Sequence, residues 1–166
     1  MSGNPAQPAG NDALMRATGI FAFGRRLALA ALIVGVAACA GWQRPPSRGD
    51  IDAKRFETVP DKAVIYLFRT QPDLTRDGAS IMLDDRMLGT TYPGTYFRLE
   101  LAPGQHRIAG FSGDSGNFEF IAEPGRLYFI EQSVMRFIGP DRSLFRRVSE
   151  DRGRQSVLRS ELIETR

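Results

Sequence analysis

Four groups of residues in this chain have types and spacings that could carry chemistry. The first is Cys39, the only cysteine among 166 residues, preceded by Val36-Ala37-Ala38. A lone thiol has no disulfide partner within the chain. Its small neighbours suit a protease groove, so the chemistry expected here is done to the sulfur itself. The second is His106, the only histidine, with Asp84 and Glu100 as acids that could sit beside it. A triad needs a nucleophile, a base and an orienting acid, and a zinc site needs three or four ligands, so one imidazole supports neither. A structural role after the Pro103-Gly104 turn is expected; burial beside Asp84 or Glu100 would make the ring a pH sensor. The third is Asp84-Asp85, with Asp114 further on. Neighbouring strand residues point to opposite faces, so turn chemistry is expected for this pair rather than paired acid–base catalysis. Calcium at the three aspartates would need their loops at one end of the fold. The fourth is Gly110-x-x-Gly113-x-x-Gly116. It opens no helix and no lysine follows, so it reads as a hairpin loop and not a phosphate loop. Ser112 and Ser115 within it have no nearby base. No cofactor motif or metal-ligand set emerges, and the expectation is of neither cofactor nor catalysis.

Two further sets concern binding. Aromatic residues alternate with polar ones from Tyr66 to Phe137, and most belong in a core. Tyr92, Tyr96 and Tyr128 are the candidates for an exposed binding strip. Arg142, Arg146, Arg147, Arg152, Arg154 and Arg159 make the C-terminal region locally basic, which is expected to be a solvated face.

The context of Cys39 is an apolar run, Leu27–Ala38, with Arg25 and Arg26 just before it. As a helix those twelve residues would span about 18 Å, short of a bilayer core of roughly 30 Å. A basic segment, a short apolar segment and small residues before a cut site make a secretory signal. Val36-Ala37-Ala38-Cys39 resembles the bacterial lipobox: an aliphatic residue, two small residues, then cysteine. The resemblance implies cleavage between Ala38 and Cys39 and diacylglyceryl transfer to the thiol, with palmitate as a label for it. An uncleaved single-span anchor is the alternative. Arg25-Arg26 lacks most of the twin-arginine motif and reads as ordinary signal charge. Met15 offers a second start, which would shorten the leading segment to a more usual length.

Removing residues 1–38 takes away Arg16, Arg25, Arg26 and Asp12, and lowers the net charge from +3 to +1. A nucleic-acid partner loses its electrostatic support. With Cys39 acylated no thiol remains, and the domain must rest on its core alone. The chain divides into 1–38 (signal), 39–61 (acylated cysteine and a flexible tether) and 62–166 (a folded domain). The tether is rich in proline, glycine and charge, and as a free coil would reach roughly 25 Å on average.

The elements that must position these residues are strands. Lys62–Arg69 is apolar on both faces and is expected to be central. Segments 79–83, 87–91, 96–101, 105–112, 117–122, 126–135 and 143–148 follow, with turns at Asp84-Asp85-Arg86, Tyr92-Pro93-Gly94, Pro103-Gly104, 113–116 and Glu123-Pro124-Gly125. Turns every eight to twelve residues or so are the spacing of an all-β antiparallel sandwich, here of about seven to eight strands. Ser149 then starts a short C-terminal helix over about 150–162, with Val157, Leu158 and Leu162 at helical spacing.

Ile81-x-Leu83-Asp84-Asp85, Leu88-Gly89 and Leu99-x-Leu101-x-Pro103-Gly104-x-His106 resemble PEGA-type β-sandwich repeats. With the opening Lys62–Arg69 segment, Pro124–Ile130 and the helix at 148–154, the pattern over about 60–163 resembles small proteobacterial lipoproteins of domain-of-unknown-function family 2846. The resemblance implies a PEGA-like, Ig-like sandwich on a lipid anchor and supplies no catalytic residues. Ala40 stands where an aspartate would favour inner-membrane retention. The expectation is therefore an outer-membrane lipoprotein facing the periplasm, bound to the membrane through acyl chains on Cys39, that binds or scaffolds an envelope protein or glycan. The rival is an envelope hydrolase, which a cleft joining His106, Asp84 and Glu100 would support.

Overall fold

Alternating apolar residues fold this chain into two stacked sheets. The computed structural model describes residues 45–135 and 139–164. Its strands are β1 (Ala63–Arg69), β2 (Ala79–Leu83), β3 (Arg86–Thr91), β4 (Thr95–Leu101), β5 (Gly104–Gly110), β6 (Asn117–Ala122), β7 (Leu127–Met135), β8 (Arg142–Val148) and β9 (Glu161–Leu162). Two helices, α1 (Arg48–Ala53) and α2 (Glu150–Leu158), flank them. One sheet has the order β8-β7-β1-β4-β9 and the other β3-β2-β5-β6. The all-β sandwich with a short C-terminal helix is therefore the fold, with nine strands among the described residues.

β1 is central, and all seven of its residues are buried. Its odd and even side chains feed different cores. Ile65 and Leu67 meet Ile81, Phe97, Ile108 and Ile130 between the sheets. Val64, Tyr66 and Phe68 point the other way, to Tyr96, Phe129, Ala53, Phe56 and Val157. The outer face of the five-stranded sheet is thus covered by α1, Phe56 and α2, a layer that strand periodicity does not reveal. Two of the pairings, β1 with β7 and β4 with β9, are parallel. Turn spacing anticipates hairpins, whereas parallel neighbours come from chain segments far apart in sequence.

The flexible tether expected over 39–61 is corrected from Pro46 onward; residues 39–44 lie outside the described residues. The compact unit spans Pro46–Arg166, and α1 lies within the stretch read as coil. Ser47 caps α1, its Oγ accepting from the Asp50 amide at 3.1 Å. Six residues cannot hold a helix alone in water, so packing sustains it. Asp50 and Ala53 are buried against the sheet. Phe56 follows in a left-handed conformation, φ 57°, which turns its ring under the domain to 5.2 Å from Tyr66 and 6.0 Å from Phe129. That backbone is unfavourable for a bulky residue, and burial of the ring offsets it.

The loop after β1 is organised by a buried guanidinium. Arg69 is fully buried and pairs with Asp73, while donating to the carbonyls of Asp77 at 2.7 Å and Thr75 at 2.6 Å. Asp73 also accepts from the Val134 amide at 3.1 Å, tying the loop to β7.

Candidate functional site

The structure disperses most of the residues singled out by type. Tyr92, Tyr96 and Tyr128 do not form an exposed strip. Tyr92 is 52% exposed, but Tyr96 and Tyr128 are buried. Alternation does point Tyr96 away from the inter-sheet core. That face is covered by α1, and the Tyr96 hydroxyl donates to Asp50 Oδ1 at 3.0 Å. Burial, then the neighbouring carboxylate, push the Tyr96 phenol far above its usual range. Tyr128 faces the inter-sheet core beside Phe120, and its hydroxyl accepts from the Glu123 amide at 2.9 Å.

Asp84 and Asp85 form the β2–β3 turn, with φ 49° and 62°. Successive left-handed residues are what a two-residue hairpin needs, and aspartate tolerates them. Asp84 also reaches β5: Oδ1 accepts from the Arg107 amide at 2.9 Å and Oδ2 lies 2.6 Å from His106 Nδ1. His106 Nε2 lies 2.8 Å from the Ala102 carbonyl. A carboxylate and a carbonyl can only accept, so this arrangement favours the imidazolium form, in which both ring nitrogens donate. Partial burial opposes that charge, but the Ala102 carbonyl and Asp84 outweigh it and raise the His106 pKa. Slight burial likewise opposes the Asp84 carboxylate; the Arg107 amide and His106 outweigh it and hold Asp84 below its usual range.

Glu100 is not part of this pair. It accepts from Arg98 at 2.8 Å and from Lys62 at 3.3 Å, and the Arg98 bond lowers its pKa. The hydrolase constellation of His106, Asp84 and Glu100 is therefore not assembled. Asp114 is elsewhere again. It accepts from the amides of Gly116 at 2.8 Å and Ser143 at 2.7 Å, joining the β5–β6 hairpin to β8. Asp84 flanks the first half of β5 and Asp114 follows its end, so the three aspartates do not converge. Among the described residues no group of three or more His, Cys, Asp and Glu side chains is placed to hold a metal ion. The glycine-spaced stretch is a hairpin loop.

The C-terminal arginines divide. Arg146 Nε donates to Glu131 at 2.7 Å, and Arg152 reaches the same carboxylate at 3.2 Å. Glu131 is buried, and nothing in its sequence context marks it. Arg154 bonds Glu150 at 2.8 Å and stacks on Phe56 at 4.5 Å. Arg147 stacks on Tyr128 at 4.5 Å.

Arg147 and Arg154 line a cleft of about 1000 Å³ with Glu57, Arg126 and Glu150. Its floor is Phe56, Leu127, Phe129 and Val148, and the backbone of Gly125 and Ser149 completes it. Four separate segments supply these groups: the turn after α1, the start of β7, the end of β8 and α2. No linear motif could have signalled it. Ser149 occupies the helix cap position as expected, but its side chain makes no capping bond, and α2 ends at Leu158 rather than near 162.

Ala38 and Cys39 lie outside the described residues, as does Phe137. Among the described residues no helix is long and apolar enough to cross a membrane. No protein-family model matches this chain, and no curated protein matches it at a significant level.

Proposed function

We propose that this chain is a lipid-anchored binding or scaffolding module of the Gram-negative envelope, held at the outer membrane and facing the periplasm, with no catalysis of its own. The observation that carries the reading is the apolar run Leu27–Ala38 ending at Cys39, with the folded unit starting close behind it. Arg48, the first residue of α1, is nine residues from Cys39. Fully extended, that link reaches about 30 Å, so an acylated Cys39 would hold the sandwich beside the membrane surface. Two or more acyl chains give stable anchoring where one is marginal. Ala40 supports outer-membrane sorting. The resemblance to PEGA-type repeats and to the lipoprotein family supports a sandwich that presents loops and sheet edges to an envelope protein or glycan.

Radiolabelled palmitate tests the anchor. The wild-type chain should take up label and Cys39→Ser should not. Equal labelling of both, or label in neither, would sink the lipoprotein reading and leave an uncleaved anchor. Crosslinking in intact membranes tests the binding role, and recovery of no protein or glycan partner would count against it.

A further inference from the structure

Three loops at one end of the sandwich carry large exposed apolar side chains. Leu74 is 72% exposed, Tyr92 52% and Phe111 46%. The strand register gathers them. The loop at 70–78 leaves β1 at Arg69, which stands opposite Thr95 at the start of β4. It enters β2 at Ala79, opposite Thr91 at the end of β3. Tyr92 lies in the short turn between β3 and β4. Phe111 follows β5, and its amide donates to the Ser80 carbonyl at 3.0 Å. Thr91 points inward to Gln132 of β7, and Gly110 stands opposite Ile81 of the inter-sheet core. Alternation therefore turns Tyr92 and Phe111 outward on the same side. The loops also touch: a Cβ at Gly78 would stand 2.8 Å from the Tyr92 ring, and one at Gly94 2.8 Å from Gln71 Oε1. Single exposed apolar residues are ordinary, but three gathered at one end make a surface.

We propose that this end of the sandwich lies on a lipid bilayer, with Leu74, Tyr92 and Phe111 entering the boundary between headgroups and acyl chains. The three tips sit on separate loops, each next to polar residues such as Thr75, Arg76 and Ser112. They do not merge into the continuous apolar core that a protein interface needs. A headgroup layer accepts separate side chains, and tyrosine suits it with an apolar ring and a polar tip. The tether starts near the same end. Lys54, just after α1, donates to the Ser160 carbonyl at 2.7 Å. The next residue, Glu161, donates its amide to the Gly94 carbonyl at 2.9 Å, two residues from Tyr92. Arg48 is six residues from Lys54, about 9 Å along a helix. The nine-residue link to Cys39 reaches about 30 Å, so it would hold a membrane within range of these tips. Charge at this end is mixed, with Arg76, Arg142 and Arg159 against Asp77, Asp141 and Glu161. The apolar tips, rather than net charge, therefore supply the contact.

The proposal rests on reading the segment that ends at Cys39 as the membrane attachment, but not on acylation of the thiol. The full-length chain would be reconstituted into phosphatidylethanolamine–phosphatidylglycerol vesicles, with and without bromine in the upper acyl chains. Trp42 is the only tryptophan, so Trp42→Phe clears the background. Leu74→Trp, Tyr92→Trp, Phe111→Trp and Ile121→Trp are then made singly in that chain. Ile121 is the control: it is 71% exposed but pairs with Gln105, at the opposite end of β5 from Phe111. Side chains at this boundary sit about 5–10 Å into it. Emission from the first three variants should therefore shift to the blue and lose intensity to bromine, while Ile121→Trp should do neither. All four positions are exposed, and unchanged melting would show that the variants fold. If Tyr92→Trp melts early because its ring packs on Gly78, Leu74→Trp and Phe111→Trp carry the test. Quenching at none of the three tips, or equal quenching at Ile121→Trp, would overturn the proposal. Tips that escape bromine and crosslink to an envelope protein would overturn it in favour of a protein partner. Such a failure with Cys39-dependent palmitate labelling intact would leave the anchor standing, and quenched tips without labelling would sink the lipoprotein reading alone.

Discussion

The carboxylate of Asp50 accepts a hydrogen bond from the hydroxyl of Tyr96, 46 residues away, at 3.0 Å. The same carboxylate accepts from the Leu162 amide at 3.1 Å and from Lys54 Nζ at 2.8 Å. Lys54 also donates to the Ser160 carbonyl at 2.7 Å. Asp50 therefore joins α1, β4 and β9, the two ends of the domain, through one buried acid. Replacing it by alanine would leave a tyrosine hydroxyl and a backbone amide without their acceptor, and a largely buried ammonium with the Ser160 carbonyl but no counter-charge. Asp50→Ala is expected to destabilise by about 3 kcal/mol. Urea denaturation measures this, and a change under about 0.5 kcal/mol would mean that α1 contributes no stability.

Gly153 meets Phe129 where α2 crosses β7. Alanine in place of a helical glycine usually stabilises by about 1 kcal/mol. Here the added Cβ would overlap the Phe129 ring and its own Cβ, and that ring is sealed beneath Phe56 and Tyr66. Gly153→Ala should therefore destabilise by roughly 1–3 kcal/mol, the range for overpacking. A raised melting temperature would show that α2 lifts off without penalty.

Arg69 and Asp73 form an ion pair with side chains 0% and 3% exposed. Removing one partner strands the other in the interior. Arg69→Met should cost about 3–5 kcal/mol. It should also open residues 72–77 to limited proteolysis, because the carbonyls of Thr75 and Asp77 lose their donor. A loop that stays protected would locate its order elsewhere.

His106 and Asp84 make stability depend on pH in two opposite senses. The raised His106 pKa gives a contribution that is complete below the ordinary value of 6.5 and is lost as pH rises through the folded value. The lowered Asp84 pKa gives one that is complete above 3.8 and is lost as pH falls through the folded value. The pair thus stabilises most between those two ordinary values. Around it stand Arg107 and Asp85 of the same hairpin region and the Phe120 ring on β6, 5.9 Å from the imidazole. Thermal melts at pH 5.5 and 8 should show a drop in the wild type that His106→Gln reduces. Identical drops in both would assign the dependence to other groups.

The strands are legible from residue order because two local signals agree in this chain. Lys62–Arg69 is apolar at nearly every position, and only a strand with neighbours on both sides and layers on both faces hides that much. Asp84-Asp85, Pro103-Gly104 and Pro124-Gly125 mark reversals through backbone preference, which needs no partner. Phe118 and Phe120 alternate with Glu119, and both pack toward the inter-sheet core. Helix α1 is not legible in this way. Six residues with one exposed isoleucine and a buried aspartate show no amphipathic stripe, and their helical state depends on a surface formed by β1, β4 and β7. Tyr96 and Tyr128 escape the same reading for the same reason: alternation gives the face of a sheet, but not what covers it.

The sequence by itself determined the sandwich class, the aspartate turn and the apolar run that ends at Cys39, all of which follow from residues close along the chain. The tertiary structure alone decided which polar groups became partners. Asp50 with Tyr96, Glu131 with Arg146 and Arg152, and His106 with Asp84 are pairs across 15 to 46 residues. It also decided the cleft that joins Glu57, Arg126 and Arg147. Burying a charge is unfavourable until a partner reaches it, and which partner reaches it depends on how the layers stack.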